Sequence, residues 1–217
     1  MQLQWLIREN NDELVLFVLG WAADHRIVEH IRPERCDVLA VYDYSEGIGG
    51  SACLKNLLSE YSRIHLFAWS FGVWVAERIL EGVSFTTAVA LNGTPYPVNE
   101  IYGIEPKRMA VTIRGIKKSG METFNRRAYG EYFDSMSHLL APRPLEKNIA
   151  ELEYLASASV EEYTPSIGWG KGIIGSADLI FPPENMVRFW GSRSEILPLP
   201  HYPLADGGLI EKEIGNR

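Results

Sequence analysis

Four stretches of this chain are so apolar that each demands cover on both faces: residues 13–19, 37–44, 63–69 and 86–91. A strand with one wet face alternates apolar and polar side chains, whereas a strand of a parallel sheet sandwiched between helices does not. Helical segments are expected between these strands, near 24–31, 53–61 and 73–81, so strand and helix alternate as parallel crossover connections require. An additional strand at 3–8 precedes them, joined to the next through the Asn10-Asn11-Asp12 turn. After Asn92-Gly93-Thr94-Pro95 the alternation stops, and a charged, aromatic, helical region runs to about residue 166. It resumes with a strand at 171–176, a short helix opened by Pro182-Pro183 and a strand at 195–200. The expected fold is one α/β domain over 1–217, a mostly parallel, doubly wound sheet carrying a helical cap inserted at about 95–166. A chain of 217 residues can bury one such core and is short for two enzyme domains.

Composition narrows the function classes. Hydrophobic residues at 46% and charged residues at 23% are ordinary globular values. A formal charge of −7 argues against a nucleic-acid partner, which needs a surplus of Lys and Arg. The first residues do not pair a basic flank with an apolar core, and no apolar run reaches the roughly 18 residues that span a bilayer. The expectation is a cytoplasmic protein with no membrane partner. Cys36 and Cys53 form neither a C-x-x-C nor a metal-ligand spacing, and both read as packing residues. No H-E-x-x-H or Walker A sequence is present either, so no motif points to a metal site.

Ser-x-Gly occurs twice, at Ser45-Glu46-Gly47 and Ser70-Phe71-Gly72, and context separates the two. Ser45 runs into a Gly-rich loop, whereas Ser70 passes directly from an apolar strand into an uninterrupted helix. A nucleophile elbow needs that sharp strand-to-helix turn, with small residues two positions either side of the serine. Ala68-Trp69-Ser70-Phe71-Gly72 supplies it, with Ala68 where glycine is usual. Ser70 could equally do no more than cap the helix. The partners weigh against that bland role, because the order nucleophile, acid, base is met by Ser70, Asp178 and His201, the last two just beyond late strands. Asp134 and Asp43 are rival acids, and His25, His30, His65 and His138 read as structural. The oxyanion donors expected are the N–H of Phe71, after the nucleophile, and of Trp21, in the loop opened by Gly20. Gly47-Ile48-Gly49-Gly50-Ser51-Ala52 matches a dinucleotide fingerprint, yet the next strand ends Phe67-Ala68-Trp69-Ser70 without the acid that would bind a ribose. It reads as a flexible loop.

Together Val18-Leu19-Gly20-Trp21, the elbow, Gly175-Ser176-Ala177-Asp178-Leu179-Ile180-Phe181-Pro182 and Leu199-Pro200-His201-Tyr202-Pro203 resemble the BioG-type pimeloyl-[acyl-carrier protein] methyl ester esterases of biotin synthesis. The resemblance covers essentially the whole chain. It implies an α/β-hydrolase fold, the triad Ser70, Asp178 and His201, an oxyanion hole from Trp21 and Phe71, no cofactor, and hydrolysis of the distal methyl ester of carrier-bound pimeloyl. Leu19 stands where many relatives carry His or Asn. The same residues would also serve a general carboxylesterase or thioesterase acting on a small soluble substrate. In a catalytically silent hydrolase fold used as a binding module, they would not converge. Residues 106–127 hold seven basic residues against a single acid, Glu122. Within that cluster Arg114, Lys117, Lys118, Arg126 and Arg127 are the candidate docking surface for an acidic acyl carrier protein; balance by acids such as Glu151, Glu153, Glu161 and Glu162 is the bland alternative. Oligomeric state is not legible.

Overall fold

The computed structural model describes residues 1–205 and 207–215. Seven strands, β1 (Gln2–Ile7), β2 (Glu13–Val18), β3 (Cys36–Tyr42), β4 (Arg63–Trp69), β5 (Thr87–Leu91), β6 (Lys171–Gly175) and β7 (Ser194–Leu197), form a single sheet in the order β1-β3-β2-β4-β5-β6-β7. All neighbours pair in parallel except β1, which runs antiparallel against β3 at one edge. The two N-terminal strands are therefore not a hairpin, because β3 lies between them.

The doubly apolar runs behave as their composition demands: β2 and β3 are buried at every position. Alternate residues serve opposite faces. Leu14, Leu16, Val18, Leu66 and Ala68 pack with α1 (Ser51–Leu58), α2 (Phe71–Ile79) and the helix at Pro183–Trp190, whereas Val15, Phe17, Leu19 and Phe67 pack with Ile27, Ile31 and the helix at Gly208–Gly215. This is the α/β-hydrolase architecture of a sheet covered on both sides.

Between β5 and β6 lie four helices, α3 (Pro106–Ser119), α4 (Glu122–Tyr129), a single turn α5 (Phe133–Met136) and α6 (Leu145–Ala158). The chain closes with α7 (Pro183–Trp190) and α8 (Gly208–Gly215).

Several local expectations need correction. The helix expected at 24–31 is only a 3₁₀ turn, His25–Val28, since the Asp24 side chain accepts from the Arg26 N–H and Pro33 follows closely. The last strand stops at Leu197 and not at 200, because Pro198 has no N–H to continue the ladder and Leu199 turns back to bond the Leu197 carbonyl. Helix α8 had no counterpart in the sequence reading. Cys36 is buried in β3, but Cys53 is exposed on α1, so only the first is a packing residue.

Candidate active site

Strand β4 ends by delivering Ser70 into a tight turn. Its backbone sits at φ 56°, ψ −125°, a region costly for a residue with a Cβ and common at functional turns. The turn is held by the Ser70 N–H bonding the Leu91 carbonyl at 2.9 Å. Close packing explains the flanking residues. A Cβ on Gly72 would lie 2.1 Å from the Val18 carbonyl oxygen, so only glycine lets α2 start this near β2, and one on Gly20 would lie 3.0 Å from the Ser70 Cβ. Ala68, paired with Val18 and Ala90, has room for its methyl inside the sheet. Although Ser70 occupies the position before α2, its side chain makes no capping hydrogen bond to the helix. The hydroxyl is directed elsewhere.

Its partner is His201, whose Nε2 is 2.9 Å from the Ser70 Oγ. On the other side of the ring, Nδ1 lies 2.7 Å from Asp178 Oδ2. Asp178 is itself fixed, with Oδ1 accepting from the N–H groups of Ile180 and Phe181, both at 2.8 Å. All three side chains are buried. A carboxylate facing Nδ1 selects the tautomer with its proton there, leaving Nε2 to accept from the serine hydroxyl.

Two residues to which the sequence assigns no role in the site, Trp69 and Asn92, hold the histidine loop. The Trp69 Nε1–H donates to the His201 carbonyl at 2.7 Å. Asn92, just past β5 with φ 46°, donates from Nδ2 to the carbonyls of Pro200 and His201 at 2.8 and 2.9 Å and accepts from the Gly175 N–H at 2.6 Å. One amide thus ties the ends of three strand segments. Asn92→Ala leaves the Gly175 N–H and the Pro200 carbonyl buried without partners, so it should lower stability by about 2–5 kcal/mol. Urea unfolding reads this directly, and an unchanged midpoint would contradict it.

The N–H of Phe71 opens α2 and so has no carbonyl within the helix to bond. Trp21 lines the same cavity as Phe71, its ring edge-on to Phe124 at 4.8 Å between centroids and its Nε1–H bonded to the Asn148 carbonyl at 2.7 Å. Trp21, Ser70, Phe71 and His201 all border a cavity of about 450 Å³ whose further walls include Met109, Ile116, Phe124 and Leu152 of α3, α4 and α6. The segment between β5 and β6 therefore covers Ser70. A hydroxyl hydrogen-bonded to an oriented imidazole, at the wall of a largely apolar cavity, is an arrangement that suits nucleophilic chemistry.

A family model described as pimeloyl-ACP methyl esterase BioG matches residues 1–202. The chain belongs to the BioG family. It is similar to BioG from Haemophilus influenzae, known from a crystal structure, with a TM-score of 0.84 and 30% identity over 94% of this chain and 95% of that one. It is also 32% identical over 182 residues to a malonyl-[acyl-carrier protein] O-methyltransferase of Bacteroides fragilis. That match takes in 82% of this chain but spans only 36% of the Bacteroides protein, about a third of its length. A thermophilic esterase from Thermogutta terrifontis shares the fold alone, with a TM-score of 0.66 and 16% identity over 98% of this chain and 91% of that one.

Elsewhere in this BioG-family chain, the rival acids lie apart from His201. Asp43 bonds Ser45 and Arg143, and the Asp134 side chain is 91% exposed, 3.8 Å from Arg126. His65 is buried between Glu13 and Thr87, His30 reaches the Leu204 carbonyl, His25 meets the Tyr42 hydroxyl, and His138 is exposed. In the Gly-rich loop, Gly47 and Gly50 adopt positive φ and lead into α1. Among the described residues, no group of three or more His, Cys, Asp or Glu is placed to hold a metal ion, and no helix is long and apolar enough to cross a membrane.

The basic cluster divides. Lys117 pairs with Glu153 at 2.6 Å, and Arg126 pairs with Glu122 at 3.1 Å while lying over the Phe133 ring. Arg114 and Lys118 are exposed on α3, and Arg127 is exposed where it borders the cavity. Arg108, which is not among the five candidate docking residues, also borders the cavity and donates to the Leu179 carbonyl at 2.8 Å.

Proposed function

We propose that this protein is a serine carboxylesterase that hydrolyses the methyl ester of pimeloyl-[acyl-carrier protein] methyl ester, yielding pimeloyl-[acyl-carrier protein] and methanol in biotin biosynthesis. The observation that carries the reading is the 2.9 Å contact between Ser70 Oγ and His201 Nε2, inside a cavity walled by the helices of a BioG-family chain. In the first half-reaction Ser70 Oγ attacks the ester carbonyl carbon as its proton passes to His201 Nε2. The N–H groups of Trp21 and Phe71 take the developing negative charge on the carbonyl oxygen. The tetrahedral intermediate collapses, His201 returns the proton to the departing methoxide, and methanol leaves with the acyl group held on Ser70. Water, deprotonated by His201, then releases the free carboxylate and restores the serine. Asp178 holds the ring and balances the imidazolium charge without taking the proton.

Apolar walls suit the methylene chain of a pimeloyl group, whose burial favours binding at about 25 cal/mol per Å². The exposed cations on α3 and α4 suit an acidic carrier protein, and the proposed setting is a cytoplasmic reaction on a protein-bound substrate. The deciding experiment is turnover of pimeloyl-carrier-protein methyl ester followed by methanol release. No turnover, with retained hydrolysis of small esters, would reject this substrate in favour of a general esterase.

Charge reversal tests the docking surface. Arg126→Glu combined with Arg127→Glu should raise KM for the carrier-protein substrate and flatten its salt dependence, because rim charges act mainly on encounter. Hydrolysis of a small p-nitrophenyl ester should change little. Equal loss on both substrates would indicate damage to the fold or pocket, and no loss on either would exclude these arginines from carrier recognition.

A further inference from the structure

The helices between β5 and β6 do more than wall the cavity: one of them reaches under the turn that carries Trp21. Glu151 of α6 is 0% exposed. Its Oε1 accepts from the Tyr44 N–H at 2.6 Å, and its Oε2 accepts from the Ala22 N–H at 3.3 Å and from Arg143 Nη1 at 2.8 Å. Arg143 completes the group by donating from Nη2 to Asp43 at 3.0 Å. One carboxylate therefore bridges the loops that follow β2 and β3. Those loops are held in costly backbone conformations, Ala22 at φ 59° and Asp43 at φ 53°. The turn that presents Trp21 is also held by a long Ala23 N–H to Gly20 carbonyl bond of 3.4 Å, by the Trp21 indole bond to Asn148, which also comes from α6, and, where it leaves β2, by the Tyr44 hydroxyl donating to the Leu19 carbonyl at 2.7 Å.

A buried ion pair contributes little net stability, since desolvation offsets its attraction. Burial pushes the Glu151 carboxyl above its ordinary range, with Arg143 and the Tyr44 and Ala22 N–H groups pulling it back. The group's distinctive effect is geometric. The Ala22 N–H belongs to the peptide that follows Trp21, so Glu151 anchors one side of the residue whose own N–H is the expected oxyanion donor.

The geometry points to Glu151, braced by Arg143, as a positioning residue that aims the Trp21 N–H at the oxyanion, making α6 part of the acyl-transfer apparatus. This rests on the assignment of Ser70 as nucleophile and Trp21 as oxyanion donor. A donor displaced by a fraction of an ångström acts on the transition state more than on the bound ester.

Glu151→Gln should lower kcat for p-nitrophenyl butyrate about tenfold to a hundredfold with KM changed less than about twofold. It should weaken a trifluoromethyl ketone, which forms an oxyanion on Ser70, by the same factor, and leave binding of the corresponding secondary alcohol unchanged. Lost stability alone could also lower activity, so the double variant Glu151→Gln, Arg143→Met removes both charges together. Turnover that stays low in this variant when its melting temperature matches wild type supports positioning. Turnover that recovers along with stability overturns it, as does an unchanged kcat in folded Glu151→Gln. Ser70→Ala, run alongside, tests the underlying assignment separately: if it remains active the nucleophile is wrong, and if it is inactive the Glu151 result stands by itself.

Discussion

Ser70→Ala should abolish ester hydrolysis, a loss of about 10⁴- to 10⁶-fold in turnover, while the protein stays folded. The stability expectation follows from the contacts. Ser70 caps nothing through its side chain; the hydroxyl's partner is His201 Nε2, and the turn is held by the backbone bond to Leu91. Alanine keeps the same Cβ and backbone strain, so the melting temperature should stay within a few degrees of wild type. A fluorophosphonate probe should label the wild type and not the variant. A folded Ser70→Ala protein with wild-type hydrolysis would end the serine-esterase reading.

The second large effect is expected at Asp178. Asparagine has the same shape and its carbonyl can still accept from the Ile180 and Phe181 N–H groups, so the loop should hold. Its amide would face His201 Nδ1, where a carboxylate now sits at 2.7 Å. That favours the tautomer protonated at Nε2, which cannot take the serine proton, and turnover should fall by about 10⁴. Asp134→Asn serves as the control, its carboxylate being solvent-exposed and remote from the ring, and should leave turnover near wild type. Turnover that falls with Asp134→Asn or Asp43→Asn but survives Asp178→Asn would reverse the assignment.

Much of this is legible in the sequence alone. Burial on both faces writes itself into a strand as an unbroken apolar run, so β2, β3, β4 and β5 and their parallel arrangement could be read from composition. The elbow was legible because a tight strand-to-helix turn restricts residue size locally: the space that excludes a Cβ at Gly72 leaves a mark at one position. Asp178 and His201 could be proposed as partners because chain order and strand ends are also written along the sequence.

The sequence by itself therefore determined the apolar strands of the parallel sheet, a long helical interruption before its last strands and three side chains of compatible chemistry. Tertiary structure decided what no local pattern encodes. That Asn92 would hold Pro200, His201 and Gly175 depends on three strand ends meeting, across separations of up to 109 residues. That Glu151 would lie under the Trp21 turn, 129 residues from Ala22, depends on how α6 folds back over the sheet. The bare charge count of the α3–α4 cluster likewise could not show that Lys117 faces Glu153, whereas Arg127 and Arg108 stand at the cavity. Local sterics and burial act residue by residue and leave a readable trace; hydrogen bonds between distant loops exist only once the chain has closed, and the residue types that make them are common everywhere.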